Sequence, residues 1–171
     1  MKVKPNALVI ESGNLIERQE VLDWLKEKQG LYHLSLLVGA GEQSNQILTA
    51  AGYKIKFCPL GRVTETVEER ELCEGAAKKN QSIVQDLLDK NEITARVLIP
   101  FDMSDDVTVP INGDVAMFAK YLGYDITYRL TTLDRVEAKE ELKRRAALAF
   151  APLAGENGVD MELDKIHIKG F

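Results

Sequence analysis

The segment VPINGDVAMFAKYLGYDITYRLTTLD, residues 109–134, decides the fold because it predicts a loop, a helix and a strand in succession. The side chain of Asn112 or Asp114 is suited to cap the helix. Gly123 is placed to end it, and alternating apolar residues then predict a strand that starts near Ile126. Apolar residues at helical spacing predict the buried face of the helix: Val115, Phe118, Ala119 and Leu122.

Two carboxylates fall at the ends of these elements. Asp114 lies at the start of the predicted helix, and Asp134 lies just beyond the predicted strand. In a parallel sheet the carboxyl ends of the strands and the amino ends of the helices share one edge, where ligands usually bind. A carboxylate at a helix N-terminus is also a common cap, so Asp114 has both a structural and a functional interpretation.

The rest of the chain repeats the alternation of strand and helix. Short apolar runs predict buried strands at residues 7–10, 34–38 and 95–99, and residues 163–168 alternate enough to form a last strand. The first two runs lead into glycine-bearing turns and then into amphipathic helices. This pattern predicts a single domain, residues 1–171, with an α/β fold: a three-layer αβα sandwich around a mainly parallel sheet.

The remaining segments are more polar. Residues 66–90 predict a helical region, which Gly75 and the polar residues 78–81 divide into two helices. Residues 100–108 predict an acidic loop, and residues 138–150 predict a helix that ends before a further loop.

Composition excludes several classes of function. A net charge of −5 argues against a nucleic-acid partner, since phosphate neutralisation needs a basic face. Only two cysteines, Cys58 and Cys73, and two histidines are present, without CxxC or EF-hand spacing, so no metal site is predicted. No apolar run approaches the roughly 20 residues that span a bilayer or resembles a signal peptide, so we expect a cytoplasmic protein without a membrane partner.

Two features point to an anionic ligand. The turn Gly39-Ala40-Gly41 joins a strand to a helix, where backbone N–H groups and the helix dipole favour anions. It matches neither GxGxxG nor GxxxxGK[ST], so a tight connection without a ligand is an equal alternative. Arg62 is a candidate anion clamp because its planar guanidinium matches a carboxylate or phosphate, although a lone arginine is more often a surface residue.

Four segments, in order, resemble the amino acid kinase family, and the acetylglutamate kinase branch in particular. They are similar to the first strand with its KxGGS turn, the strand with the HGGG loop, the RVT segment and the NxD-helix-strand-LTDVDGV block: LVIESGNL (8–15), LLVGAGEQSNQIL (36–48), GRVTE (61–65) and PINGDVAMFAKYLGYDITYRLTTLDRV (110–136). The resemblance implies a minimal amino acid kinase-like fold. In that family a phosphoryl group passes from ATP to a carboxylate or phosphate acceptor.

The resemblance also implies roles for individual residues. Asp114 would organise the catalytic lysines. The acceptor would be bound by Gly39, Ala40, Gly41, Arg62 and Asn112, and the phosphoryl group would lie near Gly13 and Asn14.

The chain departs from the family where the ATP side of the site is expected. The first catalytic lysine of the family aligns with Ile10, and the ATP-binding half would have to follow Asp134. The lysines in that part of the chain carry no matching motif: Lys139, Lys143 and Lys165.

The sequence therefore predicts a degenerate or truncated member that binds a small anionic metabolite. One alternative is an active kinase, which would need ATP and Mg²⁺. The other is a structural or interaction subunit. The resemblance further implies a homodimer or a subunit of a larger assembly.

Overall fold

The computed structural model describes residues 3–11, 14–58, 61–104, 107–110, 112–157 and 162–171. The elements are, in order, β1 (Asn6–Ile10), α1 (Gln19–Leu31), β2 (His33–Leu37), α2 (Gly41–Ala50), β3 (Lys56–Cys58), β4 (Gly61–Val63), α3 (Val67–Lys90), β5 (Ala95–Leu98), β6 (Phe101–Ser104), β7 (Val107–Pro110), α4 (Gly113–Lys120), β8 (Ile126–Thr131), α5 (Val136–Asn157) and β9 (Ile166–Gly170). Short 3-10 helices follow β1, α4 and β8 and precede β9: Leu15–Glu17, Tyr121–Gly123, Leu133–Arg135 and Leu163–Lys165.

The main sheet has five strands in the order β5-β2-β1-β8-β9, and every pairing is parallel. From β1 the chain moves outward through β2 and β5, and then returns to add β8 and β9 on the other side of β1. The strand order therefore reverses between β1 and β8, which is the place where open α/β sheets form a crevice for ligands.

Apolar residues cover both faces of this sheet. Ala7 and Val9 of β1 join one buried cluster with side chains of α1 and α3: Val21, Leu22, Leu25, Val84 and Leu88. Leu8 and Ile10 join the other cluster with Ala116, Met117 and Tyr121. A strand alternates its side chains between the two faces, so each face of β1 is buried against helices. The predicted three-layer α/β sandwich is confirmed.

Helix α3 is continuous from Val67 to Lys90, so the predicted division at Gly75 is wrong. Its start is fixed by a capping box, in which the Thr66 side chain accepts from the Glu69 N–H and the Glu69 side chain accepts from the Thr66 N–H. One glycine costs a helix only about 1 kcal/mol. Burial of Val84 and Leu88 beyond the glycine outweighs that cost.

The predicted acidic loop at residues 100–108 contains two strands instead. Strands β6 and β7 pair antiparallel as a hairpin, while residues 105 and 106 lie outside the described residues. Strand-forming residues such as Phe101, Val107 and Val109 favour this over a solvated loop. A second small hairpin pairs β3 with β4.

The predicted buried face of α4 is only partly right, because Phe118 packs against the core that contains Ile10, while Ala119 and Leu122 are exposed. Ala116, Met117 and Tyr121 are the buried residues, whereas Leu122 is 52% exposed. Most residues of this helix are apolar, so their spacing does not show which face is buried. Packing against Ile10 and the strands selects that face. Helix α5, predicted to end at residue 150, continues to Asn157.

Among the described helices, none is both long enough and apolar enough to cross a membrane.

Candidate functional site

A cavity of about 210 Å³ lies where β2 and β5 end and where α2 and α4 begin. It is lined by residues from five parts of the chain: Gly39, Ala40, Gly41, Ser44, Phe57, Gly61, Arg62, Pro100, Phe101, Asn112 and Gly113. All five residues predicted to bind the acceptor are among them. The structure therefore brings together residues that are as much as 73 positions apart in sequence, from Gly39 to Asn112.

The glycine turn presents backbone to this cavity. Helix α2 begins at Gly41 and has no side-chain cap, so its first N–H groups and the positive end of its dipole carry no capping oxygen from a side chain. The turn is held from behind, because the Asn80 side chain donates to the Gly39 carbonyl oxygen at 2.7 Å. A Cβ atom at Gly39 or Gly41 would meet nothing within 4 Å, so the backbone borders open space.

Arg62 is the main charged group of the cavity. The Arg62 residue is only 8% exposed, so the interpretation as a surface arginine is wrong. Its Nη2 donates to the Gly41 carbonyl oxygen at 2.9 Å, and its guanidinium lies 4.8 Å from the centre of the Phe57 ring. Nη1 is buried and has no hydrogen-bond partner in the described part of the chain. Burial lowers the pKa of Arg62, yet a guanidinium stays protonated at neutral pH.

The hairpin β3–β4 explains the position of Arg62. Phe57 lies directly across the hairpin from Arg62, which places the ring over the guanidinium. Gly61, the first residue of β4, has a φ of 145°, a region that side chains disfavour. The glycine thus permits the backbone turn that inserts Arg62 beneath the α2 N-terminus.

Asn112 caps α4, because its side-chain oxygen accepts from the Asp114 N–H at 2.8 Å. Of the two capping residues that the sequence allows, Asn112 is therefore the one used. Gly113 follows it against Ile10, whose Cγ2 would lie 3.8 Å from a Cβ atom at this position. Asn112 is exposed and lines the cavity, so its amide group is available to a ligand there.

Asp114 does not line the cavity. Its carboxylate forms ion pairs with two cations instead. Arg129 Nε lies 2.7 Å from one carboxylate oxygen, and Lys139 Nζ lies 2.5 Å from the other. The side chains of Asp114, Arg129 and Lys139 are 15%, 6% and 10% exposed. Asp114 thus joins the start of α4 to β8 and to α5 through a nearly buried ion triad.

The triad changes the acid–base properties of its members. Burial alone would raise the pKa of Asp114, but attraction to Arg129 and hydrogen bonds from both cations hold this pKa below its usual value. Burial lowers the pKa of Lys139, although its bond to Asp114 opposes that change. The carboxylate therefore stays ionised at neutral pH and is a poor general base.

Glu11 is a second buried carboxyl group, directly after β1 and beside the point where the strand order reverses. It is 6% exposed, and its side chain accepts from the Ile16 N–H at 3.4 Å. Burial raises the pKa of Glu11 to about 7, although backbone N–H groups of Ile16 and Leu15 and the charge of Arg129 act in the opposite direction.

The predicted phosphoryl-binding residues are not brought to the cavity. Gly13 lies outside the described residues. Asn14 is exposed, precedes the 3-10 helix Leu15–Glu17 and does not line the cavity.

The sequence did not reveal the partners of Asp114. Lys139 belongs to no recognisable motif. Its position beside Asp114 depends on how α5 packs after β8, which the local sequence does not show. Arg129 did leave a signal, since a charged residue within the apolar strand β8 is rarely buried without a partner. Within the described ranges, no three His, Cys, Asp or Glu side chains group closely enough to hold a metal ion.

Comparisons with known proteins bear on the fold. No family model matches the chain, and no curated protein matches it in sequence. The crystal structure of smu.665 from Streptococcus mutans UA159 is similar, with a TM-score of 0.54 and 14% identity over 73% of this chain and 72% of that chain. At this identity the likeness supports the fold alone.

A second solved structure is N-acetylglutamate synthase from Neisseria gonorrhoeae, complexed with coenzyme A and N-acetyl-glutamate. It has a TM-score of 0.48 and 15% identity over 97% of this chain and 54% of that chain, a likeness too weak to support a common fold. Neither structure is described as an amino acid kinase, so the resemblance to that family stays a prediction.

Proposed function

We propose that the chain binds a small anionic metabolite in the cavity at Arg62, as a relative of the amino acid kinases. The observation that carries this proposal is the buried Nη1 of Arg62, which has no hydrogen-bond partner among the described residues. A buried donor without a partner costs about 1–3 kcal/mol, and more when it is charged. An anion in the cavity would remove that cost.

The other lining groups suit the same ligand. The uncapped N-terminus of α2 offers backbone N–H groups to negative charge, and Asn112 offers an amide. Phe57 and Phe101 add apolar surface beside them. A cavity of about 210 Å³ is small, so the ligand is a compact carboxylate or phosphate compound rather than a dinucleotide.

The experiment is a thermal-shift and calorimetric titration with acceptors of the family that the sequence resembles: N-acetylglutamate, aspartate and uridine monophosphate. We expect at least one to stabilise the wild type, by about 2.7 kcal/mol at 100 times its dissociation constant. Arg62→Ala should abolish the effect, and Arg62→Lys should retain part of it, because lysine keeps the charge but lacks the planar fork.

Lys54→Ala is the matched control, since it removes one positive charge at an exposed position outside the cavity. This variant should bind as the wild type does. If no acceptor shifts the melting temperature of the wild type, or if Arg62→Ala binds as tightly, the assignment of the cavity fails.

A second candidate function is phosphoryl transfer from ATP with Mg²⁺ to a carboxylate or phosphate acceptor. One observation favours this function. The resemblance implies that Asp114 would organise catalytic lysines, and in the structure Asp114 does contact a lysine, Lys139. Lys139 Nζ is, however, engaged by Asp114 and does not line the cavity. Transfer of labelled phosphate that is lost in Lys139→Ala and kept in Lys54→Ala would establish this function.

We further propose a homodimer, which rests on the family resemblance. A groove between α2 and α3 exposes Ile47 and Ile83, which are 37% and 55% exposed. Sedimentation at several concentrations should show dimers that Ile83→Asp separates. Leu148→Asp, at a 63% exposed position on α5, should leave them intact. A monomeric wild type would contradict the proposal.

A further inference from the structure

A second groove lies at the opposite edge of the sheet from the Arg62 cavity. It borders the amino ends of β2 and β5 and the last turns of α1, and its volume is about 540 Å³. Four basic residues line it, namely Lys4, Lys26, His33 and Arg96. The other lining residues are neutral: Gln29, Gly30, Tyr32, Leu34, Thr94 and Ala95. No carboxylate takes part in this lining, although the whole chain has a net charge of −5.

The positive charges of this groove are not neutralised by ion pairs. Across the described part of the chain, Lys4, Lys26 and Arg96 form no salt bridge with a carboxylate. The next lysine on α1 differs, because Lys28 Nζ lies 3.0 Å from a Glu27 carboxylate oxygen. Like charges that converge without counter-charges raise the local potential and attract anions.

The frame of the groove is held in place by a glutamine. The Gln29 side-chain oxygen accepts from the Thr94 N–H at 2.7 Å, and its amide donates to the Glu92 carbonyl oxygen at 3.1 Å. These bonds tie the end of α1 to the start of β5. Lys4 Nζ donates to the Gln29 carbonyl oxygen at 2.8 Å, which offsets the negative end of the α1 dipole. A site that is already ordered loses less entropy when a ligand binds.

From this placement we propose that the groove is a second ligand site, which binds a small molecule carrying two or more phosphate groups. The cations Lys4, Lys26 and Arg96 come from the segment before β1, from α1 and from β5, so a ligand with several anionic groups engages more of them than a single ion does. Both Lys26 and Arg96 are exposed, and exposed cations bind phosphate without a large desolvation cost. The site is independent of the Arg62 cavity.

The proposal is tested by calorimetric titration of the full chain with inorganic triphosphate, without added metal, at low and physiological ionic strength. The wild type should bind, and more weakly at 0.15 M salt because the screening length falls to about 8 Å. The double variant Lys26→Glu with Arg96→Glu should weaken binding at least tenfold. Both positions are exposed, so the melting temperature of this variant should match that of the wild type.

The matched control is Lys54→Glu with Lys90→Glu, which changes net charge equally at exposed positions outside the groove. It should bind within about twofold of the wild type, given that exposed charges more than a screening length away are largely screened. Absence of binding by the wild type would overturn the proposal. Equal weakening in both double variants would also overturn it, as would tighter binding of a single-stranded oligonucleotide than of triphosphate.

Two further measurements complete the test. In Arg62→Ala, whose cavity has lost its charge, triphosphate should still bind, and Lys26→Glu with Arg96→Glu should still weaken that binding; loss of all binding in Arg62→Ala would place the anion in the other cavity and overturn the proposal. A comparison with adenosine triphosphate separates the sources of the phosphate groups. Equal affinity identifies the phosphate chain as the recognised part, and tighter binding of adenosine triphosphate identifies a nucleotide, with Tyr32 as the ring beside the groove. Either result depends on the same cations.

Discussion

Single residues of this protein show three ways of burying charge. Asp114 is neutralised by two cations, Glu11 has a pKa raised towards neutrality, and Arg62 keeps its charge with one nitrogen unsatisfied among the described residues. Neutralised charges serve structure, whereas an unsatisfied charged donor beside a cavity suits a ligand. This contrast is why we place ligand binding at Arg62 rather than at Asp114.

Removing Asp114 should be costly. Asp114→Ala leaves Arg129 and Lys139 close together without their counter-charge, and breaking a buried ion pair costs about 3–5 kcal/mol. Denaturant unfolding at pH 7 measures the loss. The control is Glu141→Ala, which breaks an exposed pair with Arg144 and should cost less than about 1 kcal/mol. Similar losses in the two variants would mean that the triad is not buried in solution.

The charge of Asp114 also gives stability a dependence on acid pH. Because its pKa is lower in the folded state, the stabilisation is complete above the unfolded pKa of about 3.9 and is lost as pH falls through the folded value. Wild-type unfolding should therefore become easier below about pH 4, and Asp114→Asn should lack this component. The prediction would be contradicted if the free energy of unfolding of Asp114→Asn fell as steeply below pH 4 as that of the wild type.

Glu11 should make the free energy of unfolding depend on pH in the opposite direction, and over a different range of pH. Its pKa is raised from 4.5 to about 7, so the folded state binds an extra proton between these values. Its stabilisation is complete below pH 4.5 and declines as pH rises to 7, by about 3 kcal/mol in total. Glu11→Gln should flatten this decline in denaturant unfolding between pH 5 and 8. Parallel curves for variant and wild type would show that Glu11 is solvated.

At the scale of elements, local patterns found the central strands, missed the β6–β7 hairpin and misjudged the polar helices. The apolar runs that predicted strands at residues 7–10, 34–38 and 95–99 match β1, β2 and β5 within one residue at each end. The division of α3 was misplaced, because a helix with a weak apolar stripe is continued by packing that the local sequence does not contain. The end of α5 was placed at residue 150, whereas the helix continues to Asn157.

The continuity of α3 makes a direct prediction at Gly75. A Cβ atom there would meet nothing within 4 Å, so Gly75→Ala should stabilise the protein by about 1 kcal/mol through helix propensity. Thr66→Ala, which removes the capping box, should destabilise it by about 1 kcal/mol. Thermal unfolding measures both. If Gly75→Ala were neutral or destabilising, the helix would be interrupted at this point.

At the scale of the whole molecule, the central sheet couples two cores. Leu36 belongs to the core beneath α1 and α3, and Leu8 belongs to the core beneath α4; both are fully buried. Leu36→Ala and Leu8→Ala should each cost about 2–5 kcal/mol. If residues 1–171 form one domain, each substitution lowers the midpoint of the same single transition followed by circular dichroism and by tryptophan fluorescence. Two separate transitions would contradict a single domain.

The parallel sheet also separates the two proposed sites. The Arg62 cavity is formed where β2 and β5 end, and the basic groove is formed where the same strands begin. Ligands at these two places contact no common lining residue. Lys54 lines neither place and therefore serves as the control position for both sites.

The sequence by itself determined the α/β class, the parallel central strands, and the set Gly39, Ala40, Gly41, Arg62 and Asn112, which the structure gathers around one cavity. The class and the strands follow from local chemistry, because apolar runs form strands and glycine and capping residues mark the turns at strand ends. The five residues were grouped by the resemblance to the amino acid kinases. Only the tertiary structure decided that Arg62 is buried beneath α2 and that Lys139 meets Asp114. Those contacts join residues far apart in the chain, and long-range packing sets their distance and burial.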